Sequence, residues 1–226
     1  MIKKWQHVAC LIALAAVAGL SDAAAWQLKS RPASEWIESL ERAERVERLR
    51  VDFIVSNLGL KPGQTVVDVG AGPGVFSFPL AQGVSPGGKV YAVELDQGFL
   101  DHITMRAKER NVTNVQTVLG KPVDPNLPAK DVDLALIHDV LHHVADRAGY
   151  LKALAPYLKG SGRVAIVELS AEKGSHKDEP ALVVTKPQVD GWMADAGFTP
   201  IQRIEGLPDD KWFTIYARRQ TEEHAH

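Results

Sequence analysis

Three glycines set two apart, Gly70, Gly72 and Gly74, interrupt the apolar run QTVVDVGAGPGVFSF between Gln64 and Phe78. Glycine at a strand-to-helix turn costs chain entropy, so its use there points to a ligand approaching bare peptide groups. The spacing is G-x-G-x-G, not the G-x-G-x-x-G of dinucleotide sites, whose third glycine would fall at Val75. Asp68, on the strand side of the turn, repels an anion and attracts a cationic group. About twenty-five residues later, Glu94 ends the run KVYAVE, where a strand-end carboxylate can accept both hydroxyl hydrogens of a ribose. A packing turn or a surface acid explains either feature alone; the ordered set of strand, glycine turn and strand-end acid is much less common. His138, His142 and His143 in HDVLHH form a second group. Residues four apart share a helix face, as in zinc peptidases, but the glutamate beside the first histidine is missing, so no metal site is expected.

These residues need a frame of alternating strands and helices. Strand-like runs lie at Thr65 to Val69, Lys89 to Val93, Val115 to Leu119, Val132 to Ile137 and Arg163 to Val167, most of them continuously apolar, as strands covered on both faces are. Helical stretches run from Gly74 to Ala81, Gln97 to Arg110 and Asp146 to Leu158, which argues a parallel sheet with helices on both faces. Apolar residues from Trp36 to Phe53 recur every three or four positions among Arg and Glu, predicting one amphipathic helix over Glu35 to Leu58. The end departs from the alternation. KPQVDGWMADAGF reads as a helix with Pro187 near its start and Gly197 past its end. FTPIQRIEG and WFTIYARR then flank LPDD, a link so short that the two strands must be antiparallel.

The chain has 226 residues, 45% hydrophobic, with a formal charge of −2. That suits one α/β domain and lacks the basic stripe nucleic acids require. Its first 25 residues differ: MIKKWQH is a positive head, VACLIALAAVAGL an apolar core, and SDAAA ends in small residues, the pattern of a secretory signal cleaved after Ala25. The apolar core is shorter than a bilayer span, so no membrane span is expected after cleavage, and an uncleaved inner-membrane anchor is the competing reading. The one cysteine, Cys10, lies inside that signal, so the mature chain has no disulfide, which suits an oxidising, periplasmic compartment. The expected organisation is a signal at 1–25 and a single domain at 26–226, with a helical lead-in to residue 62, a core over 63–218 and a tail from 219.

VVDVGAGPG, VYAVELD, DVDLALIHDVLHHV, LKGSGRVAIVE and MADAGF resemble, in order and spacing, the landmarks of class I S-adenosylmethionine-dependent methyltransferases, over roughly Trp36 to Arg218. The resemblance implies a Rossmann-like open sheet of about seven strands, mostly parallel with a C-terminal antiparallel hairpin. It also implies that Asp68, Gly70, Ala71 and Gly72 surround the methionine end of the cofactor, that Glu94 holds the ribose and Leu95 lies beside the adenine. Gly120 and His138, ending the third and fourth strands, complete the implied set. Lys121 stands where many relatives carry an acid for the adenine amino group, so Asp124 or a backbone group would have to substitute.

Such a site has to align an acceptor with an already activated methyl group and exclude water. A histidine is the natural base for an oxygen or nitrogen acceptor, and His142 lies where ligands of open α/β folds bind. The alternative is structural, with its ring bonded to a loop carbonyl. The expected reaction is methyl transfer to a small-molecule acceptor. The rival from another class is an exported, non-catalytic nucleoside-binding protein, because export of an unfolded chain carries no cofactor with it.

Overall fold

The computed structural model describes residues 32–208 and 210–219. The expected signal and most of the expected tail lie outside them. Among the described residues fourteen helices and strands follow the chain: α1 (Ala33–Leu40), α2 (Ala43–Leu49), α3 (Val51–Asn57), β1 (Thr65–Val69), α4 (Ser77–Gly83), β2 (Lys89–Glu94), α5 (Gln97–Glu109), β3 (Val115–Leu119), β4 (Val132–His138), α6 (Arg147–Leu154), β5 (Leu158–Leu169), α7 (Lys186–Asp195), β6 (Phe198–Ile204) and β7 (Lys211–Arg218), with 3-10 turns at Leu141–His143 before α6 and at Ala155–Tyr157 before β5.

The strands form one sheet in the order β3-β2-β1-β4-β5-β7-β6. β1 through β5 are parallel, and β7 runs antiparallel to both β5 and β6. This is the expected architecture, and its cause is visible in the strands. β1 is buried at all five positions, and adjacent residues go to opposite faces. Val67 and Val69 join a core with Leu151, Val189 and Met193, whereas Val66 packs with Ile54, Leu58 and Leu80. Both faces therefore need helices, and a strand hidden on both sides has to read as a continuous apolar run. The strand order reverses between β1 and β4, so the residues following β1, β2 and β4 border one crevice.

The lead-in corrects the expectation of one helix over Glu35 to Leu58. It is three short helices, broken where Arg42 is extended and where Arg50 takes a left-handed conformation at φ 53°. A straight helix of that length would run about 36 Å and could serve only one neighbour. The broken one serves two. Ala33 of α1 lies against Gly98 at the start of α5, and Glu41 just after it reaches His102 at 3.1 Å. Ile54 of α3 and the following Leu58 enter the core beside α4. Among the described residues no helix is long and apolar enough to cross a membrane.

Candidate functional site

The glycine turn connects β1 to α4, and all three glycines have positive φ: 66° at Gly70, 52° at Gly72 and 88° at Gly74. α4 begins at Ser77, three residues later than the sequence suggests, because a left-handed Gly74 cannot start a right-handed helix. Two of the glycines make room for the protein itself. A Cβ on Gly70 would stand 2.3 Å from Val140 Cγ2, and one on Gly74 would stand 3.0 Å from Ile103 Cγ1. Of the three, only Gly72 has room for a Cβ, whose nearest neighbour would be Leu40 Cδ1 at an ordinary contact distance of 3.8 Å. The three glycines thus divide the work of the turn: Gly70 and Gly74 make room for Val140 and Ile103, and Gly72 has room left beside it.

Glu94 is tied to that turn. One carboxylate oxygen accepts the Gly72 N–H at 3.2 Å and the other the Leu95 N–H at 2.5 Å. Both oxygens are thereby oriented, and each keeps a lone pair for a further donor. Burial pushes the carboxyl of Glu94 up from its ordinary value, against the pull of those N–H groups. Ala71 donates to the Val93 carbonyl at 3.0 Å and Gly120 to the Glu94 carbonyl at 2.8 Å, so the ends of β1, β2 and β3 are laced together here. Gly120 is bare because Val93 Cγ1 would meet its Cβ at 2.8 Å. Beyond it Leu95 and Leu119 are about half exposed, at 51% and 49%, an apolar patch suited to a flat ring. Lys121 exchanges backbone bonds with Asp124, whose side chain already accepts from Tyr157 and Asn126.

Asp68 is buried behind the turn and accepts the Ser77 hydroxyl at 2.6 Å. Burial raises its carboxyl to about 7; the Ser77 bond opposes the shift and the charge of Glu94 adds to it. An unfolded aspartate has lost its proton by about pH 4, whereas this one keeps it to about 7. The unfolded state then binds fewer protons, so this group makes stability fall as pH rises from about 4 to 7. Asp68→Asn is expected to remove that decline: thermal melts of the ligand-free variant should depend less on pH over this window than those of the parent. Equal slopes would show that Asp68 is not the group responsible.

The end of β4 carries the second group of residues. His138 is buried with its ring 4.5 Å from that of Phe76, and its Nε2 is buried without a hydrogen-bond partner. Burial is the main force lowering its ring to about 4, so it is neutral at pH 7. Asp139, next in sequence, is left-handed at φ 54° and holds Lys211 of β7 in a buried ion pair. Arg45 of α2 faces the same carboxylate, and its Nη1 donates to the Leu40 carbonyl. His142 lies in the 3-10 turn beyond Val140, which fills the hollow at Gly70. Its Nδ1 is 2.6 Å from Glu168 of β5, so its partner is a buried carboxylate rather than the loop carbonyl expected for a structural histidine. The rings of His143 and His176 lie 4.0 and 5.2 Å from that of His142. Among the described residues no three His, Cys, Asp or Glu side chains are arranged to hold a metal ion.

Glu168, Lys211 and Arg45 are the members that sequence reading missed. Glu168 had one legible signal, an acid at the end of the apolar run VAIV, as Glu94 ends VYAV. Nothing in the sequence pairs Lys211 or Arg45 with Asp139.

The set fits S-adenosylmethionine on this structure's own terms. Gly72 gives an open peptide face, Glu94 offers two oriented acceptors, Leu95 and Leu119 an apolar platform, and the orphaned Nε2 of a neutral His138 a contact that does not repel a sulfonium.

Comparison with known proteins agrees. Residues 67–166 match the family model described as a methyltransferase domain. Aklanonic acid methyltransferase DauC of Streptomyces sp. (strain C5) is 29% identical over 103 residues, covering 46% of this chain and 47% of that one. Demethylmenaquinone methyltransferase of Geobacillus sp. (strain WCH70) is 27% identical over 116 residues, covering 51% and 50%. The chain thus spans about half the length of these curated relatives. Among solved structures, a SAM-dependent methyltransferase from Aquifex aeolicus superimposes with a TM-score of 0.74 at 23% identity, covering 84% of this chain and 100% of that one. Residues 67–166 thus match a methyltransferase domain, and the sheet that carries them has the fold of the SAM-dependent methyltransferase it superimposes on.

Proposed function

We propose that the protein transfers a methyl group from S-adenosylmethionine to an oxygen or nitrogen of a small-molecule acceptor. The observation that carries the reading is the Glu94 carboxylate, fixed by the N–H groups of Gly72 and Leu95 beside the one glycine of the turn with room for a Cβ. In this reading Glu94 accepts both ribose hydroxyls, Leu95 and Gly120 border the adenine, and Asp68, Gly70, Ala71 and Gly72 shape the methionine end with His138. The bound sulfonium supplies a methyl group already activated for attack. The protein's own task is to align the acceptor and exclude water, for which α1 and α2 lie over the crevice, and His142 serves as base. The small-molecule class rests on the relatives, whose names specify aklanonic acid and demethylmenaquinone. Export after cleavage at Ala25, a single domain over 26–226 and the absence of nucleic-acid partners complete the proposal, resting on the sequence and its charge of −2.

Calorimetric titration of the chain from Trp26 with S-adenosylmethionine and its demethylated product tests the cofactor. Glu94→Ala is expected to weaken binding by about 1–3 kcal/mol, or roughly 5- to 150-fold, because two buried hydroxyls lose their acceptor. An unchanged affinity would remove Glu94 from the site. Binding of the nucleoside with no methyl transfer to any phenol, enol or amine would favour a non-catalytic binding protein.

A further inference from the structure

We infer that Glu168 is a positioning residue that holds His142 in one tautomer, Nδ1–H, and leaves its Nε2 as the atom that takes the acceptor's proton. The inference rests on the methyl-transfer reading and adds a residue to it. Its basis is a convergence of three N–H groups on one buried carboxylate. Oε1 of Glu168 faces His142 Nδ1 at 2.6 Å and accepts the Leu169 N–H at 2.7 Å, while Oε2 accepts the His142 backbone N–H at 3.2 Å. Two of these donors are backbone N–H groups and cannot reverse. A carboxylate that serves them as acceptor serves the ring nitrogen in the same way, so the ring proton belongs on Nδ1. Nε2 then carries a lone pair, and it makes no hydrogen bond among the described residues.

The position and surroundings suit a base. His142 is in the turn that begins beyond Val140, and Val140 packs into the elbow at Gly70, so the ring sits one short turn from the crevice. When an acceptor O–H breaks, its proton forms an N–H bond on Nε2 and the electron pair stays on oxygen to take up the methyl group. The new imidazolium charge lies against Glu168. His143, in the same turn, is lowered to about 4 by burial first and by His142 and His176 next, so it adds no fixed charge at pH 7. The other groups facing the pair are Arg147 of α6, which donates to the His142 carbonyl, His138 and Asp139 at the end of β4, and His176, which is bound to Glu179 on the segment before α7. A histidine needed only for packing would gain as much from a carbonyl, at no cost of burying a carboxylate.

The test is nitrogen NMR on the full chain labelled at its eight histidines and loaded with demethylated cofactor, with 4-nitrophenol as the acceptor mimic. His142 is expected to show a protonated Nδ1 and a bare Nε2, and the Nε2 signal should move when the phenol is added. Glu168→Gln should abolish both the single tautomer and the response, and Glu168→Asp, which keeps the charge, should restore part of each. Affinity for the demethylated cofactor should stay within about twofold in both variants, and methyl transfer to a phenol should fall by about 100-fold or more in Glu168→Gln with little change in KM for the cofactor. A proton on Nε2 in the parent protein, an Nε2 signal indifferent to the phenol, or a Glu168→Gln variant unchanged in both respects would overturn the inference. Failure of the parent to bind the demethylated cofactor is a separate result and counts against the methyl-transfer reading instead.

Discussion

Lys211→Met is expected to destabilise the protein by about 3–5 kcal/mol, the cost of breaking a buried ion pair by removing one partner. Lys211 Nζ donates to both oxygens of Asp139, at 2.5 Å to Oδ1, and the two side chains are only 8% and 18% exposed. Burial would raise the Asp139 carboxyl, but His138 and Lys211 together outweigh it and hold the group below its ordinary value. Because His138 is neutral at pH 7, Lys211 and the more distant Arg45 are the cations that Asp139 then faces. The sign follows from the lowered value: the pair's contribution is present above about pH 4 and fades as pH falls through the folded-state value. Thermal melts should therefore show a loss of roughly 6–20 °C at pH 7, narrowing below pH 4. Adding Asp139→Asn should recover much of it, since asparagine tolerates the left-handed backbone at φ 54° and carries no charge to strand. A loss under about 1 kcal/mol at pH 7 would mean the pair is solvated and contributes little.

Gly70→Ala is the second large effect. The new Cβ would stand 2.3 Å from Val140 Cγ2 and 3.0 Å from Cγ1, on a backbone at φ 66°. The left-handed conformation costs about 1 kcal/mol for alanine, and forcing Val140 away adds about 1–3 kcal/mol. The sum is about 2–4 kcal/mol by denaturant unfolding. Gly72→Ala is the control, because its Cβ would meet nothing closer than 3.8 Å and only the backbone cost of about 1 kcal/mol should appear. The binding effects should reverse in rank, with Gly72→Ala weakening the demethylated cofactor although it folds the better of the two. Equal stability losses in the two variants would show that Val140 yields freely.

The two substitutions separate what a sequence reader can see at this site from what the fold adds. The glycine turn was legible as a whole, since strand, bare residues and a following acid occur in one local order. Which glycine faces the crevice was not, because it depends on Val140, which arrives just after a different strand, β4. The lead-in shows the same limit from another side. Its apolar spacing is helical throughout, yet the chain breaks at Arg42 and Arg50 because α1 and α3 have different neighbours. Periodicity reports which residues want burial and says nothing about the direction from which burial comes.

The sequence by itself determined the parallel strands, the terminal hairpin, the glycine elbow and the strand-end Glu94, because each is written in contiguous residues whose local preferences agree. Only the tertiary structure decided the partners of the buried charges. Asp139 and Lys211 are 72 residues apart, and His142 and Glu168 are 26 apart, one in the turn after β4 and the other on the neighbouring β5. A lysine or glutamate looks the same in a sequence whether it meets water or a buried counter-charge. Strand order brings those side chains together, and strand order is a property of the folded sheet.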